Sequence, residues 1–282
     1  MDENEVKEHE INVIEITKFL FKNKLFISLV SLSISGIFAF YSLSLPDKYQ
    51  SDIVVIPTES TNTSNFASLG SIASLAGMSM SSGPNQTQIA LAVLNSRSFI
   101  VDFISKNNLQ AELMPDNWNQ ETSEWIGTIS DDDIANSFRD IFSISSSQDI
   151  YYISIEWTDP RSAAIWANLL VNQLNSHMQT LAINEHEENI GFLKDQLAIN
   201  NVKEVENVLF KQVEEQMKNI MIANVKKEYV FKVLDPAITP IDRSSPKRTQ
   251  MVILGLILGF LLSSVFIGML SYFYPNSRII KT

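Results

Sequence analysis

Two long apolar runs bracket the chain, from Leu25 to Leu45 and from Met251 to Phe273. Each is about as long as the roughly 20 helical residues that cross bilayer hydrocarbon, and neither contains an ionisable side chain. The pattern predicts two transmembrane helices that hold residues 46–250 between them on one face of a membrane. Residues 1–24 and 274–282 are then short tails on the other face.

The first part of the middle segment predicts a strand, a loop and helices. Residues 49–56 are rich in β-branched side chains and end at Pro57, which indicates a strand. Residues 58–83 are dominated by Ser, Thr, Gly and Ala, a composition typical of a long loop. Between 87 and 106 the apolar positions recur at helical spacing, which predicts one or two helices over a sheet.

A second pattern, at residues 139–145 and 150–157, predicts an antiparallel hairpin joined by 146–149. In its second strand the side chains of Tyr151, Ile153, Ile155 and Trp157 alternate onto one face, as in a half-buried strand. We therefore expect residues 46–158 to form an α/β base domain.

A long helix is predicted to follow, beginning at Asp159-Pro160, where Asp can cap and Pro is tolerated in the first turn. Unbroken to Ile199, it would reach about 58 Å. Its apolar stripe vanishes over the polar residues 184–189, as expected of a helix that stands in solvent away from a core.

The helix is predicted to stop at Asn200-Asn201, where Asn201 and Glu204 have the spacing of a capping box for a second helix. Its apolar stripe comprises Val202, Val205, Leu209, Val213, Met217 and Ile220. Residues 159–226 thus predict a helical projection. The second helix is too short to cover the first, and a second copy of the chain is the simplest partner for the uncovered apolar face.

The middle segment is predicted to end with a return strand, Tyr229 to Leu234, within residues 227–250. Three prolines, Pro236, Pro240 and Pro246, then stiffen the approach to the second apolar run. Inside that run Gly255 and Gly259 form a G-x-x-x-G pattern. Ser31 and Ser35 offer a matching pair of small residues in the first run, which predicts close helix packing in the membrane.

Charge and composition exclude some classes of protein. Residues 46–250 hold 15 Lys and Arg against 26 Asp and Glu, so the middle segment carries the whole net charge of −11. Such a surface is a poor match for nucleic acid, whose phosphates attract basic residues. The chain has no cysteine, so disulfides, thiolate catalysis and cysteine-based zinc sites are absent.

Candidate chemistry is sparse, and we expect no catalytic residue, cofactor or metal. Asp131 to Asp133 lack the spacing of a calcium loop and are better explained as the start of a short helix over residues 134–138. His177 and His186 do not share a helix face. The glutamates beside His186 fit a solvated surface, and His9 lies in the tail. Trp118 and Trp125 allow either stacking on sugar rings or a role in covering the sheet.

The sequence resembles the chain-length determinant family, also called polysaccharide co-polymerases. The similarity lies in FASLGSIASLAG at 66–77, IALAVLNSRSFIVDFI at 89–104, the step from Glu156 to Asn168, and EYVFKVLDPAITPIDRSSPKRTQMVILG at 228–255. The last segment, which contains the three prolines, is the most specific. The fold class implied is an α+β membrane protein, with two transmembrane helices flanking a periplasmic base domain and a long projecting helix or helical hairpin.

The resemblance implies a homo-oligomer of the bacterial inner membrane, with both termini in the cytoplasm. Such a protein sets the length of a lipid-linked surface polysaccharide, usually lipopolysaccharide O-antigen, together with a separate polymerase. Some relatives continue into a nucleotide-binding kinase domain, but this sequence has no G-x-x-x-x-G-K-[ST] loop, which favours the O-antigen type. Two other interpretations stay open: a two-span extracytoplasmic sensor or adaptor, and a membrane enzyme acting on glycans.

Overall fold

The computed structural model describes residues 21–58, 86–199 and 202–273. The chain divides into two compact units. One is residues 48–242, and the other combines the terminal segments 1–47 and 243–282. The predicted loop at 58–83 lies, apart from residue 58, outside the described residues.

The terminal unit contains two apolar helices, α1 (Lys24–Ser44) and α8 (Arg248–Phe273). Both are long and apolar enough to cross a membrane, with mean hydropathies of 1.9 and 2.5 over their apolar windows. The two predicted apolar helices are thus present, and α8 begins three residues before the apolar run itself. Most side chains of both helices face outward, as those of lipid-exposed helices do.

The central unit is built on one antiparallel sheet of four strands in the order β4-β5-β1-β6. The strands are β1 (Tyr49–Pro57), β4 (Phe142–Ser147), β5 (Ile150–Trp157) and β6 (Phe231–Asp235). The predicted hairpin is confirmed, although β4 begins at Phe142 rather than Arg139, which ends a helix. It runs on to Ser147, so that the turn itself is Gln148-Asp149. The return strand is also confirmed, and it begins two residues later than predicted.

Helices cover the sheet and continue beyond it. They are α2 (Gln86–Leu94), α3 (Arg97–Lys106), α4 (Gln110–Leu113), α5 (Asp131–Arg139), α6 (Pro160–Ile199) and α7 (Lys203–Val225). A short 3₁₀ turn (Pro115–Asn117) and a two-stranded ribbon, β2 (Trp118–Asn119) with β3 (Glu124–Trp125), join α4 to α5. The region predicted as one or two helices is therefore two, α2 and α3.

The core of the central unit lies between α6 and the sheet. Leu170 and Leu174 of α6 are fully buried in the same cluster as Ile53 of β1 and Ile153 of β5. Alternation along β5 places Ile153 and Ile155 inward, as the sequence pattern predicts. Phenylalanines of α3 and α5 close one side, with the rings of Phe103 and Phe138 5.2 Å apart.

Helix α6 is one unbroken helix of 40 residues, about 60 Å long, as predicted. Asp159 accepts a hydrogen bond of 2.8 Å from the backbone N–H of Ser162, so the predicted cap is present. None of residues 184–189 is buried. Helix α7 lies against α6, and at the midpoint of α6 Gln179 donates to the carbonyls of Ala223 and Lys226.

Two predicted helix starts need correction. Helix α5 begins at Asp131 rather than Ile134, and its N-cap is Ser130, whose hydroxyl accepts from the backbone of Asp133. The three aspartates form the first turn, because acidic side chains favour the positive end of a helix. Helix α7 begins at Lys203 with Val202 at the N-cap position, without a side-chain cap. The predicted cap, Asn201, lies outside the described residues.

Candidate interaction sites

The glycines of the G-x-x-x-G pattern lie where α8 touches α1. A Cβ atom added to Gly259 would stand 2.7 Å from the Cα of Ser31, and one added to Gly255 would stand 2.9 Å from the Cβ of Phe38. Both distances are shorter than real side chains allow. At Gly268, nine residues after Gly259 on α8, an added Cβ would have nothing within 4 Å. The two helices therefore approach each other closely at Gly255 and Gly259 in particular.

The serines of α1 lie on the same contact. Ser35 donates a hydrogen bond of 3.1 Å to the carbonyl of Val252, across the helix pair. Ser31 is 6% exposed, and its hydroxyl has no partner within the part of the chain that the structure describes. Beside it, an apolar groove of about 410 Å³ runs between α1 and α8. Small side chains on both helices permit this close approach.

Beyond the helix pair, one carboxylate joins the two terminal segments. Asp47, three residues after α1, accepts a hydrogen bond of 2.8 Å from Arg248 Nη2, at the first residue of α8. Arg243 Nη1 lies 3.6 Å from the same carboxylate oxygen. The residues that follow one helix and precede the other are thus tied to a single point.

The long helix holds the return strand through a buried asparagine that sequence reasoning missed. Asn175 is 2% exposed. Its Oδ1 accepts from the backbone N–H groups of Val230 and Phe231, both at 2.9 Å, and its Nδ2 donates to the carbonyl of Phe231 at 2.8 Å. Asn175 satisfies backbone groups that would otherwise be unpaired at the start of the strand.

The segment with the three prolines is fixed in the same way. Asn168, seven residues before Asn175 on α6, donates to the carbonyl of Ala237 at 2.8 Å and accepts from its N–H at 3.1 Å. Ser51 of β1 donates to the carbonyl of Ile238 at 2.7 Å. These contacts fall between Pro236 and Pro240, so the backbone there is anchored on both sides. A polar residue every seven positions on a buried helix face was the available signal.

The helical hairpin of α6 and α7 presents an apolar outer surface. Leu209, Val213 and Ile220 of the predicted α7 stripe are half-buried toward α6, whereas Val202, Val205 and Met217 are exposed. On the outer side of α7, Phe210, Met217 and Met221 follow one another at helical spacing and are 55–68% exposed. We call these three residues the outer α7 face.

The residues considered for catalysis are not brought together. His177 packs edge-on against the ring of Phe99, with centroids 5.5 Å apart, and His186 Nδ1 lies 2.7 Å from Gln216 Oε1. The hydrogen bonds from Ser130 hold the pKa of Asp133 below its usual value of 3.8. Among the described residues there is no group of three or more His, Asp or Glu placed to hold a metal ion.

The two candidate sugar-stacking residues contact each other instead. Trp118 and Trp125 are paired across the β2–β3 ribbon, with ring centroids 4.8 Å apart and planes at 75°. Trp125 also packs against the core. Their edge-to-face arrangement is a common aromatic contact. Both rings are half-buried, which agrees with a role in covering the core.

These features describe an α+β unit flanked by two apolar helices that are long enough to cross a membrane. Residues 9–107 match the family model of the chain length determinant protein, Wzz. That region includes α1, β1, α2 and α3. The resemblance to the chain-length determinant family that was inferred from the sequence is thereby confirmed over these residues.

Two solved structures are similar to the chain at low identity. A full-length bacterial polysaccharide co-polymerase is 12% identical with a TM-score of 0.39, covering 95% of this chain and 100% of its own. A fragment of WzzB, a polysaccharide co-polymerase from Salmonella Typhimurium, is 15% identical with a TM-score of 0.33, covering 71% and 100%. No curated protein matches the chain. Both TM-scores are below 0.5, so the resemblance to chain length determinants depends on the match of residues 9–107 to the family model.

Proposed function

We propose that the protein regulates the chain length of a lipid-linked surface polysaccharide, most simply lipopolysaccharide O-antigen. The observation that carries this proposal is the match of residues 9–107 to the chain length determinant family. The arrangement of the rest of the chain supports it, since a second apolar helix follows the α+β unit.

We place the protein in the bacterial inner membrane, with residues 48–242 in the periplasm and both termini in the cytoplasm. Two apolar helices at the ends of one chain require that both tails share a face. The periplasm is the face on which a lipid-linked surface polysaccharide would be reached by the larger unit.

In this proposal the protein is a homo-oligomeric scaffold. The outer α7 face exposes three large apolar side chains on a helix whose opposite side already contacts α6. Exposed apolar patches of this kind commonly mark protein contacts. A neighbouring copy that covers the patch would exclude it from water, and a closed ring would cover it on every copy.

A separate polymerase would make the glycosidic bonds, while the scaffold would hold the polymerase or the growing polysaccharide. The protein's own contribution would then be position and assembly, with no bond made or broken by its side chains. The contact between α1 and α8 at Gly255 and Gly259 would set how the membrane helices pack within one copy or between copies.

The direct test is expression of the full chain in a bacterium that makes O-antigen but lacks its own chain-length determinant. Electrophoresis of the extracted lipopolysaccharide should change from a broad ladder to one with a preferred length. A ladder that stays broad despite normal membrane levels of the protein would contradict the proposal. Cleavage or extension of polysaccharide by the purified protein alone would contradict the scaffold mechanism.

A matched pair of glycine substitutions tests whether helix packing contributes. Gly259→Leu inserts a side chain where even a Cβ would meet the Ser31 backbone, so the preferred length should broaden or shorten with total sugar roughly preserved. Gly268→Leu adds the same side chain at an open position of the same helix and should leave the ladder unchanged. Equal effects of the two substitutions would show that the close contact is incidental.

A further inference from the structure

Ile238 and Ile241 are unusual because they are apolar and strongly exposed, and because the backbone at Ile238 is fixed. Their exposed fractions are 75% and 94%. Exposed isoleucines on a mobile loop would need no explanation. Here Ala237, next to Ile238, is 8% exposed and belongs to the core cluster.

Three hydrogen bonds fix the start of this segment. Asn168 makes two of them with Ala237, and Ser51 makes the third with the carbonyl of Ile238. Ser51 is itself only 2% exposed, so its hydroxyl is committed to that contact. These contacts of the neighbouring backbone therefore hold the Ile238 side chain in its exposed position.

Along the chain, the segment is also close to the residues that connect with both apolar helices. Ile241 comes two residues before Arg243, a separation of at most about 7 Å of chain. The Arg243 guanidinium reaches the carboxylate of Asp47, three residues after α1. Arg248, the first residue of α8, reaches the same carboxylate. Where α1 and α8 cross a membrane, this point lies next to the bilayer surface.

The chemistry of the segment suits the boundary between headgroups and hydrocarbon. That region is only about 5–8 Å deep on each side of a bilayer. Apolar side chains of interfacial segments enter it, while neighbouring basic side chains stay with the phosphates. Ile238 and Ile241 supply the first group. Arg243 and Lys247, both exposed, supply the second.

We propose that Ile238 and Ile241 insert into the interfacial region of the membrane and anchor the α+β unit there, with phospholipid as the occupant of this surface. The inference depends on α1 and α8 crossing a membrane and is independent of the proposed role in polysaccharide length.

The chain has no cysteine, so a single spin label can be placed at will. The full chain carrying Ile238→Cys or Ile241→Cys, labelled with a nitroxide, would be reconstituted in vesicles of phosphatidylethanolamine and phosphatidylglycerol. Power-saturation paramagnetic resonance then compares collisions with oxygen, which concentrates in lipid, and with a chelated nickel complex, which stays in water.

The matched controls are Val225→Cys and Leu261→Cys. Val225 is an equally exposed apolar residue, at 83%, in the hairpin, and Leu261 is 54% exposed on α8. We expect the oxygen-to-nickel ratio at Ile238 and Ile241 to be several-fold higher than at Val225 and lower than at Leu261.

A ratio at Ile241 equal to that at Val225 would overturn the proposal, because the segment would then face water. Low accessibility to both reagents would also overturn it, since a second copy or another protein would then cover the segment. A water-like ratio at Leu261 would remove its premise, that α8 crosses the membrane.

Discussion

The two halves of helix α6 have the same backbone conformation but different surroundings. Nine of its ten buried residues lie at or before Met178, and the tenth, Leu193, stands alone in the second half. The first half packs on the sheet and also supplies Asn168 and Asn175, which hold the return strand. The second half lies beside α7.

The difference shows that helix formation and core formation are separate matters in this chain. Helical segments without tertiary contacts are marginal in water, so the second half of α6 depends on its pairing with α7. That pairing leaves the outer α7 face exposed. The first half is expected to determine the stability of the fold, and the second half to determine what the protein contacts.

The largest difference between the two halves should come from shortening a leucine. Leu174→Ala removes a fully buried side chain and should reduce the free energy of unfolding by about 2–5 kcal/mol. Leu181→Ala, at a position 44% exposed in the second half, should change it by less than about 1 kcal/mol. Urea unfolding of the full chain in detergent, followed by the fluorescence of its four tryptophans, measures both. Equal losses would refute the division.

A somewhat smaller effect is expected from Asn175→Ala. The substitution leaves the N–H groups of Val230 and Phe231 buried without a partner, which should cost about 2–3 kcal/mol. Asn224→Ala, at an exposed asparagine of α7, is the control and should be nearly neutral. Hydrogen exchange at Val230 and Phe231 should accelerate in the first variant. Unchanged protection there would mean that β6 is held by its pairing with β1 instead.

A loss of about 1 kcal/mol is expected from removing the N-cap of α5, a helix in the unit on which the first half of α6 packs. Ser130→Ala should destabilise the central unit by about that amount. Because the folded-state pKa of Asp133 is lowered, its contribution is complete above the usual value of 3.8 and is lost as pH falls through the lower folded value. Unfolding measured from pH 6 to 2 should show this acid-dependent loss in the natural chain and less of it in Ser130→Ala.

The smallest effect on unfolding should come from the outer α7 face. Phe210→Ser with Met221→Ser should change the free energy of unfolding by less than about 1 kcal/mol, because both side chains are exposed in one copy. The same pair should lower the assembled mass in detergent, measured by light scattering. Lys211→Ser, beside Phe210, is the control. A natural chain that is already monomeric would refute the proposed oligomer.

Helix α6 continues across residues 184–189, where its apolar stripe lapses, and the structure rather than the periodicity shows this. Periodicity was sufficient to predict the apolar helices and the hairpin. These elements depend on side chains that alternate or repeat locally, and such patterns can be recognised without knowing which distant residues they contact. The start of α5 was predicted three residues late, because Asp as well as Ser is favourable at a helix N-terminus and the actual cap is Ser130.

The polar contacts of α6 could not be predicted in the same way. Asn168 and Asn175 join residues more than 50 positions away in the chain, and nothing in the local pattern names those partners. The close approach at Gly255 and Gly259 was proposed from spacing alone, and the structure adds the atoms that they meet, Ser31 and Phe38. No sequence pattern revealed the exposed Ile238, because its exposure depends on contacts of the neighbouring backbone with Ser51 and Asn168.

The pairing of β1 with β6 has a mechanical consequence. The strands are antiparallel, so the residues leading to α1 and to α8 leave the sheet at the same end. Once the Asp47 ion pairs had broken, a force that separated the two helices would open this ladder one bond at a time, beginning with the Ser51 contact to Ile238. The sheet would therefore yield in small steps to a lateral pull between the two helices.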